Sequence, residues 1–397
     1  MNPFLLIFSI FIALTASASP EVHFANRNAE GAYVDRSCGS NLESLWLDIV
    51  FVVDNSQIME NSGLNQVAWN IVQVVMELTI GLDPNNPKTS RVGIVTYNSE
   101  ATIIASLDAF DSTSDLLPFV LGNLSHVANT TESYLSKGLT TAARVLQNGY
   151  RDDRKAVKQV IIVFAASYQT ANNNDPVPIA NRLKENDITI VTVGYGRGND
   201  ITKLLQELSL VSSPSANFAY YNANLIGSLQ TVLVDVNCFC PPGWSQFYDG
   251  PVKKGVCVRA SSLFATWVAA KLTCHNIAKN GYLVNEYSQE KHDFVFDVVR
   301  KTPGFQPPYR YYIGLSYFND NWNWEQPFGL SSRPFTNNTW TDWINGVPPS
   351  VPSFVMNTQW DTTNPVVGWG VTNRNNAQLY VCEVASCDTD NYCDGDY

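Results

Sequence analysis

Trp46-Leu47-Asp48-Ile49-Val50-Phe51-Val52-Val53-Asp54-Asn55-Ser56 is an apolar, β-branched run that ends in a carboxylate and a hydroxyl. Continuous Val, Ile, Leu and Phe between polar turn residues predicts a parallel strand covered on both faces, since neither face can meet water. In open α/β sheets the ligand crevice lies outside the carboxyl ends of such strands, which puts Asp54 and Ser56 at the expected site. The pattern downstream repeats this logic. Residues 60–82 carry Val67, Ile71, Val75 and Leu78 on one helical face, residues 91–97 and 101–107 read as strands, and 135–148 as a helix. Strands over 158–164 and 188–194, a helix around 179–185 and two more helical stretches to Val236 complete the alternation. Such alternation builds right-handed βαβ units and a doubly wound parallel sheet.

At 397 residues the chain exceeds one ordinary core, so two domains are expected. Residues 4–14 form an apolar block followed by Ala16-Ser17-Ala18, which predicts a secretory signal over 1–18. No later segment offers about 18 consecutive apolar residues, so no membrane span is predicted. Secretion makes eight cysteines a disulfide framework rather than metal ligands or nucleophiles. Sequons at Asn123, Asn129 and Asn337 are candidate glycosylation sites. A formal charge of −11 argues against nucleic acid and anionic membranes as partners. The four histidines, His23, His126, His275 and His292, sit in no HExxH pattern and beside no nucleophile, so no enzyme is read here.

After residue 236 helices thin out and cysteines cluster. Cys240-Pro241-Pro242-Gly243-Trp244 followed by Cys257 reads as an opening hairpin, and a helical stretch runs through Trp267 to Cys274. Gly281-Tyr282-Leu283-Val284, a helix bearing Phe294, Val295, Val298 and Val299, and Tyr312-Ile313-Gly314-Leu315 follow in turn. A tract with Trp322, Trp324, Trp340 and Trp343 leads to Leu379-Tyr380-Val381-Cys382-Glu383. The four tryptophans are taken first as core, which is where large rings in loop-rich tracts most often pack.

Two resemblances follow from these residues. Asp54-x-Ser56, the strand Arg91-Val92-Gly93-Ile94-Val95, Gly138-Leu139 and Val193-Gly194-Tyr195-Gly196 resemble a von Willebrand factor type A domain over 45–236. The ordered set after 240 resembles a C-type lectin-like domain, an α+β fold, over 240–385. The remaining division is a signal peptide at 1–18, an amino-terminal arm at 19–44 held by Cys38, and an acidic tail at 386–397. Proteins pairing these two domains behind a signal peptide resemble secreted nematode lectin-like proteins. The resemblance implies disulfides Cys38–Cys238, Cys240–Cys257, Cys274–Cys382 and Cys387–Cys393, with Cys238 and Cys240 able to exchange roles.

Type A domains hold Mg²⁺ or Mn²⁺ through Asp-x-Ser-x-Ser, a Thr and a further Asp. Here Asp54 and Ser56 match and Ser133 takes the Thr position, while Ile58 and Ala166 stand where oxygen ligands belong. With two of five ligands missing, no Mg²⁺ or Mn²⁺ is expected, and Asp54 is read as an acceptor for backbone amides of the turn. Asp175 and the amides of residues 172–174 remain as sources of a ligand from the third loop. In the lectin half, the tripeptides that hold Ca²⁺ in calcium-dependent relatives align with Val347-Pro348-Pro349 and Trp369-Gly370-Val371, which lack their oxygen donors, so no Ca²⁺ is expected. Sugar contact would then rest on aromatic faces, with Trp369 the ring expected to be exposed and Pro348 on the same surface. The resemblance implies a secreted recognition protein for glycans or proteins, plausibly of microbial surfaces in innate defence, with an adhesive or matrix component as the alternative.

Overall fold

The computed structural model describes residues 25–27, 33–196, 200–336, 340–349, 351–361, 363 and 365–395; the expected signal peptide and the Asn337 sequon lie outside them. Two short strands, β1 (Ala25–Arg27) and β2 (Tyr33–Asp35), pair antiparallel. The first module then runs β3 (Leu47–Asp54), α1 (Glu60–Val75), β4 (Arg91–Tyr97), β5 (Ala101–Ala105), α2 (Thr113–Asn123) and α3 (Leu135–Asn148). It continues through β6 (Lys158–Ala165), α4 (Val177–Glu185), β7 (Thr189–Gly194), α5 (Asp200–Ser209), β8 (Asn217–Ala219) and α6 (Leu225–Asn237). The sheet order is β5-β4-β3-β6-β7-β8, parallel throughout except for the antiparallel edge strand β5.

Every residue of β3 is buried, as its composition requires. Ile49, Phe51 and Val53 face the layer that holds α1 and α6, while Val50 and Val52 face the layer of α3, α4 and α5. Alternation along a strand thus feeds two separate cores, one on each side of the sheet. Val67, Ile71 and Val75 form the inner face of α1, spaced to meet the sheet once per turn.

The second module contains β9 (Ser245–Asp249), β10 (Val252–Ala265), α7 (Trp267–Ile277), β11 (Tyr282–Leu283), α8 (Gln289–Lys301), β12 (Arg310–Phe318) and β13 (Asn321–Trp324). It closes with β14 (Arg333–Pro334), β15 (Phe354–Asp361), β16 (Val366–Thr372) and β17 (Gln378–Ala385). Its sheet runs β14-β13-β12-β17-β10-β9, with the β15–β16 hairpin attached to β12 and β11 attached to β17. Thr266 and Ser288 cap α7 and α8 by accepting the amides of Ala269 and Lys291. Cysteines pair as Cys38–Cys238, Cys240–Cys257, Cys274–Cys382 and Cys387–Cys393. The third of these ties α7 to β17.

The segments read from sequence as an arm and a tail need correction, because their described parts are built into the body. Asp35, following Tyr33 into the second module, pairs with Lys291 of α8 at 2.7 Å, and Lys291 also meets Glu383 of β17 at 3.2 Å. Arg36 donates to the Gly255 carbonyl and pairs with Asp388 at 2.9 Å. Residues 386–389 are buried rather than trailing in solvent. Trp46, at the start of the first module, packs between Phe239 and Tyr392 and donates its indole N–H to the Asp388 carbonyl. Both ends of the described chain therefore form the seam between the modules. Among the described residues, no helix is long and apolar enough to cross a membrane.

Candidate functional site

Two surfaces emerge from the expected site residues. The first is the carboxyl end of β3, where the chain turns sharply after a buried strand. Asp54 Oδ1 accepts the Ser56 amide at 2.9 Å, and Oδ2 accepts the Ser133 hydroxyl at 2.8 Å and the Ala166 amide at 3.1 Å. Three loops, after β3, before α3 and after β6, thus converge on one carboxyl group. Burial raises its pKa, against the lowering effect of these hydrogen bonds. The Tyr97 phenol in the same pocket is also pushed up, first by burial and then by Asp54.

Asp54, Ser56 and Ser133 are therefore brought together, but their geometry does not suit a divalent cation. Mg²⁺ requires about six oxygens in near-octahedral array, and Ile58 and Ala166 contribute none from their side chains. The buried Ser56 and Tyr97 hydroxyls lie in the same pocket without a hydrogen bond of good geometry. Both carboxyl oxygens of Asp54 already accept from protein donors. Asp175, the candidate rescue ligand, is exposed and accepts the Val177 amide at the start of α4. Asn174 is engaged with Ala171 and Ser136; the side chain of Asn172 lies outside the described residues. Among the described residues, no group of three or more His, Cys, Asp or Glu side chains could hold a metal ion.

The second surface is the outer face of the β15–β16 hairpin with the loop that precedes it. Here the expectation for Trp369 is overturned: its side chain is only 1% exposed. Asn357 pairs with Trp369, and Gln359 with Val367, so these residues share the inner face of the hairpin. The indole is ringed by Trp324, Trp340 and Trp343, with centroids 5.3 to 5.6 Å away in edge-on contact. Its N–H donates to Glu286 Oε2 at 2.8 Å, the partner that a buried indole needs.

Glu286 is itself buried, accepting Asn357 Nδ2 on one oxygen and His292 Nδ1 on the other, each at 2.8 Å. Burial alone would lower the His292 pKa, yet the Glu286 carboxyl group, helped by Asp342, lifts it to about 9. An imidazolium–carboxylate pair thus lies beneath the loop, tying α8 to β15 and β16.

On the outer face, Gly368 and Gly370 leave room for Ile344, whose side chain sits against the space their missing Cβ atoms would fill. Trp360 stands at the bulge between Gln359 and Asp361, where the pairing with β16 shifts register, and is 60% exposed. Val347 and Pro348 are exposed in the preceding loop. Trp360 was missed by sequence reasoning; the glycine alternation at 368 and 370, opposite Val367 and Trp369, was the signal that assigns the two faces. Asn123 and Asn129 are exposed in the first module.

A family model for the von Willebrand factor type A domain matches residues 48–233, and one for the lectin C-type domain matches residues 264–384. The chain joins a von Willebrand factor type A domain to a C-type lectin domain. C-type lectin domain-containing protein 160 of Caenorhabditis elegans is 29% identical over 375 residues, which cover 91% of this chain and 56% of that protein. The chain thus spans little more than half the length of this relative. The collagen alpha-5(VI) chain of Homo sapiens is 26% identical over 162 residues, covering 41% of this chain and 6% of its own. Among solved structures, proximal thread matrix protein 1 from the mussel byssus aligns at a TM-score of 0.40 and 18% identity, covering 49% of this chain and 48% of that one. The two domains are of ligand-binding and adhesion types and belong to no enzyme family. Disulfide-rich lectin and type A domains without a membrane-crossing helix among the described residues fit an extracellular protein.

Proposed function

We propose that this is a secreted recognition protein that binds glycans or proteins at surfaces, including microbial ones in innate defence, and that neither domain uses a cation to do so. The observation that carries the reading is the outer face of the lectin hairpin. Where calcium-dependent lectins place oxygen ligands, this chain has Val347, Pro348, Pro349, Gly370 and Val371, and the hairpin carries the exposed indole of Trp360. An exposed ring can stack on the apolar face of a pyranose without any ion, and burying it contributes about 25 cal/mol per Å² before ordering costs. One such contact gives weak binding that clustering strengthens. Residues 1–18, the three sequons and the paired cysteines support secretion through the oxidising pathway.

The test is retention of the purified protein on intact microbes and on polysaccharide beads, with and without a chelator. Retention unchanged by chelation, and weakened about tenfold by Trp360→Ala, is expected, since one stacked ring is worth about 1.4 kcal/mol. Loss of retention in chelator while the protein stays folded would overturn the reading, as would full retention by the variant. Binding to an extracellular protein instead of to any glycan would favour an adhesive matrix role.

A further inference from the structure

A cleft of about 620 Å³ opens at the seam, at the amino ends of β3 and β6 and therefore at the opposite end of the type A domain from Asp54. One wall belongs to the type A domain and carries Tyr150, Arg151, Arg154 and Lys158; the other is formed by Phe239 and Trp244, which lead into the lectin domain. The lining holds four cationic side chains against two carboxylates, in a chain whose net charge is −11. Such a local reversal is not a consequence of composition.

Arg154 is 8% exposed, and its Nη2 is committed to Asp48 at 3.2 Å and to the Thr89 carbonyl at 3.0 Å. Its Nε is buried with no partner in the structure. A guanidinium N–H left without an acceptor is costly. Lys158 is held 4.5 Å from the Phe239 ring centroid and is also paired with Asp187. Arg151 is exposed at the rim, bridged to Asp153 by two contacts of 3.0 Å. Cations and aromatic rings thus share the lining of one opening, within the roughly 300–1,000 Å³ range of small-molecule sites.

We propose that this cleft binds an acidic saccharide, a sulfated or carboxylated sugar whose anionic groups reach Lys158 and Arg151 while its ring faces lie on Trp244 and Tyr150. A bare anion would use the cations alone, and a neutral sugar would leave them unused; the combination selects a charged pyranose. The site is separate from the lectin hairpin and stands or falls independently of the function proposed above.

The experiment is calorimetric titration of the full chain with a chondroitin sulfate tetrasaccharide, its desulfated counterpart and inorganic polyphosphate. Binding of the sulfated sugar and not the desulfated one is expected, weakening at least threefold between 50 and 200 mM salt as ion pairs are screened, roughly. The double variant Arg151→Gln/Lys158→Gln, checked to be folded at the assay temperature, is expected to lose at least about tenfold in affinity. Trp244→Ala should weaken the sulfated sugar more than polyphosphate. Tyr150→Ala, whose ring is exposed, provides the same reading should Trp244→Ala fail to fold. Trp360→Ala should bind the sulfated sugar normally, which separates this site from the hairpin. No binding of the sulfated sugar, equal or tighter binding of polyphosphate, or wild-type affinity in the double variant would each overturn the proposal.

Discussion

Trp369 shows how far a single residue can be read. Its sequence neighbours, Gly370 and Val371, suggest an exposed ring, yet the direction of a strand side chain depends on register, and register is fixed by the pairing of β15 with β16. With its N–H on Glu286 and its faces against three other tryptophans, the indole is a keystone of the core. Trp369→Ala should cost about 3–5 kcal/mol in urea unfolding, as truncation of a buried aromatic does. A cost below about 1 kcal/mol would mean that the ring is peripheral. Asp54 was more legible, because a polar residue ending a buried strand must have its carboxyl satisfied locally, and Ser56 supplies an amide two residues on. What the sequence could not supply was the Ala166 amide, which arrives from 112 residues away. His292 was read only as a residue without a catalytic partner, since Glu286 lies across a turn and Asp342 across half the domain. Its folded pKa of about 9 exceeds the unfolded value of about 6.5. The stabilisation from its ion pair is therefore complete below about pH 6.5 and is lost as pH rises through about 9. The unfolding midpoint should fall over that interval, and His292→Gln should flatten the dependence; an equally steep fall in the variant would assign it to another group.

At the scale of elements, the chain was most legible where period and length agree. The helix expected over 135–148 is α3, and the apolar run from Trp46 contains β3. The helix α2 was not anticipated, because Pro118 stands inside it and Gly122 near its end, both of which read as breakers. Ser112 starts it by accepting the Asp115 amide, and Leu116 and Val120 bury its inner face. The value of Gly138 is also set by packing. A Cβ there would stand 2.8 Å from Val52 Cγ1 and 3.0 Å from Tyr97 Cδ1, so α3 approaches the sheet only because the position is bare. Gly138→Ala improves helix propensity by about 1 kcal/mol, but displacing the helix costs about 1–3 kcal/mol. The variant should be no more stable than the parent, and a lowered midpoint in thermal unfolding is the expected result; a stabilised variant would show that the helix has room to move.

At the scale of the whole molecule, two domains are joined by the segments that local reading assigned to an arm and a tail. The sequence reads the arm as held by the Cys38 bridge and the tail as an acidic end, but their charges are spent on partners hundreds of residues away: Asp35 on Lys291, Arg36 on Asp388. No local pattern encodes such pairs, and burying them needs every partner in place. The seam fixes the ends of the type A domain beside the lectin sheet and leaves the two expected site faces on outer surfaces. At one, a single carboxyl group gathers three loops; at the other, apolar side chains of the Val347 loop and the hairpin are exposed. The central claim is that recognition by this chain proceeds without a bound cation, and its most direct test is the thermal unfolding midpoint of the metal-stripped full chain in chelator against millimolar Mg²⁺, Mn²⁺ and Ca²⁺. An ion that binds only the folded protein must raise the midpoint, by about 2.7 kcal/mol of stability at 100 times its Kd. The account predicts coincident curves in all four conditions. A rise of several degrees with any one ion, abolished by Asp54→Ala in the type A domain or by Asp342→Ala in the lectin domain, would contradict it.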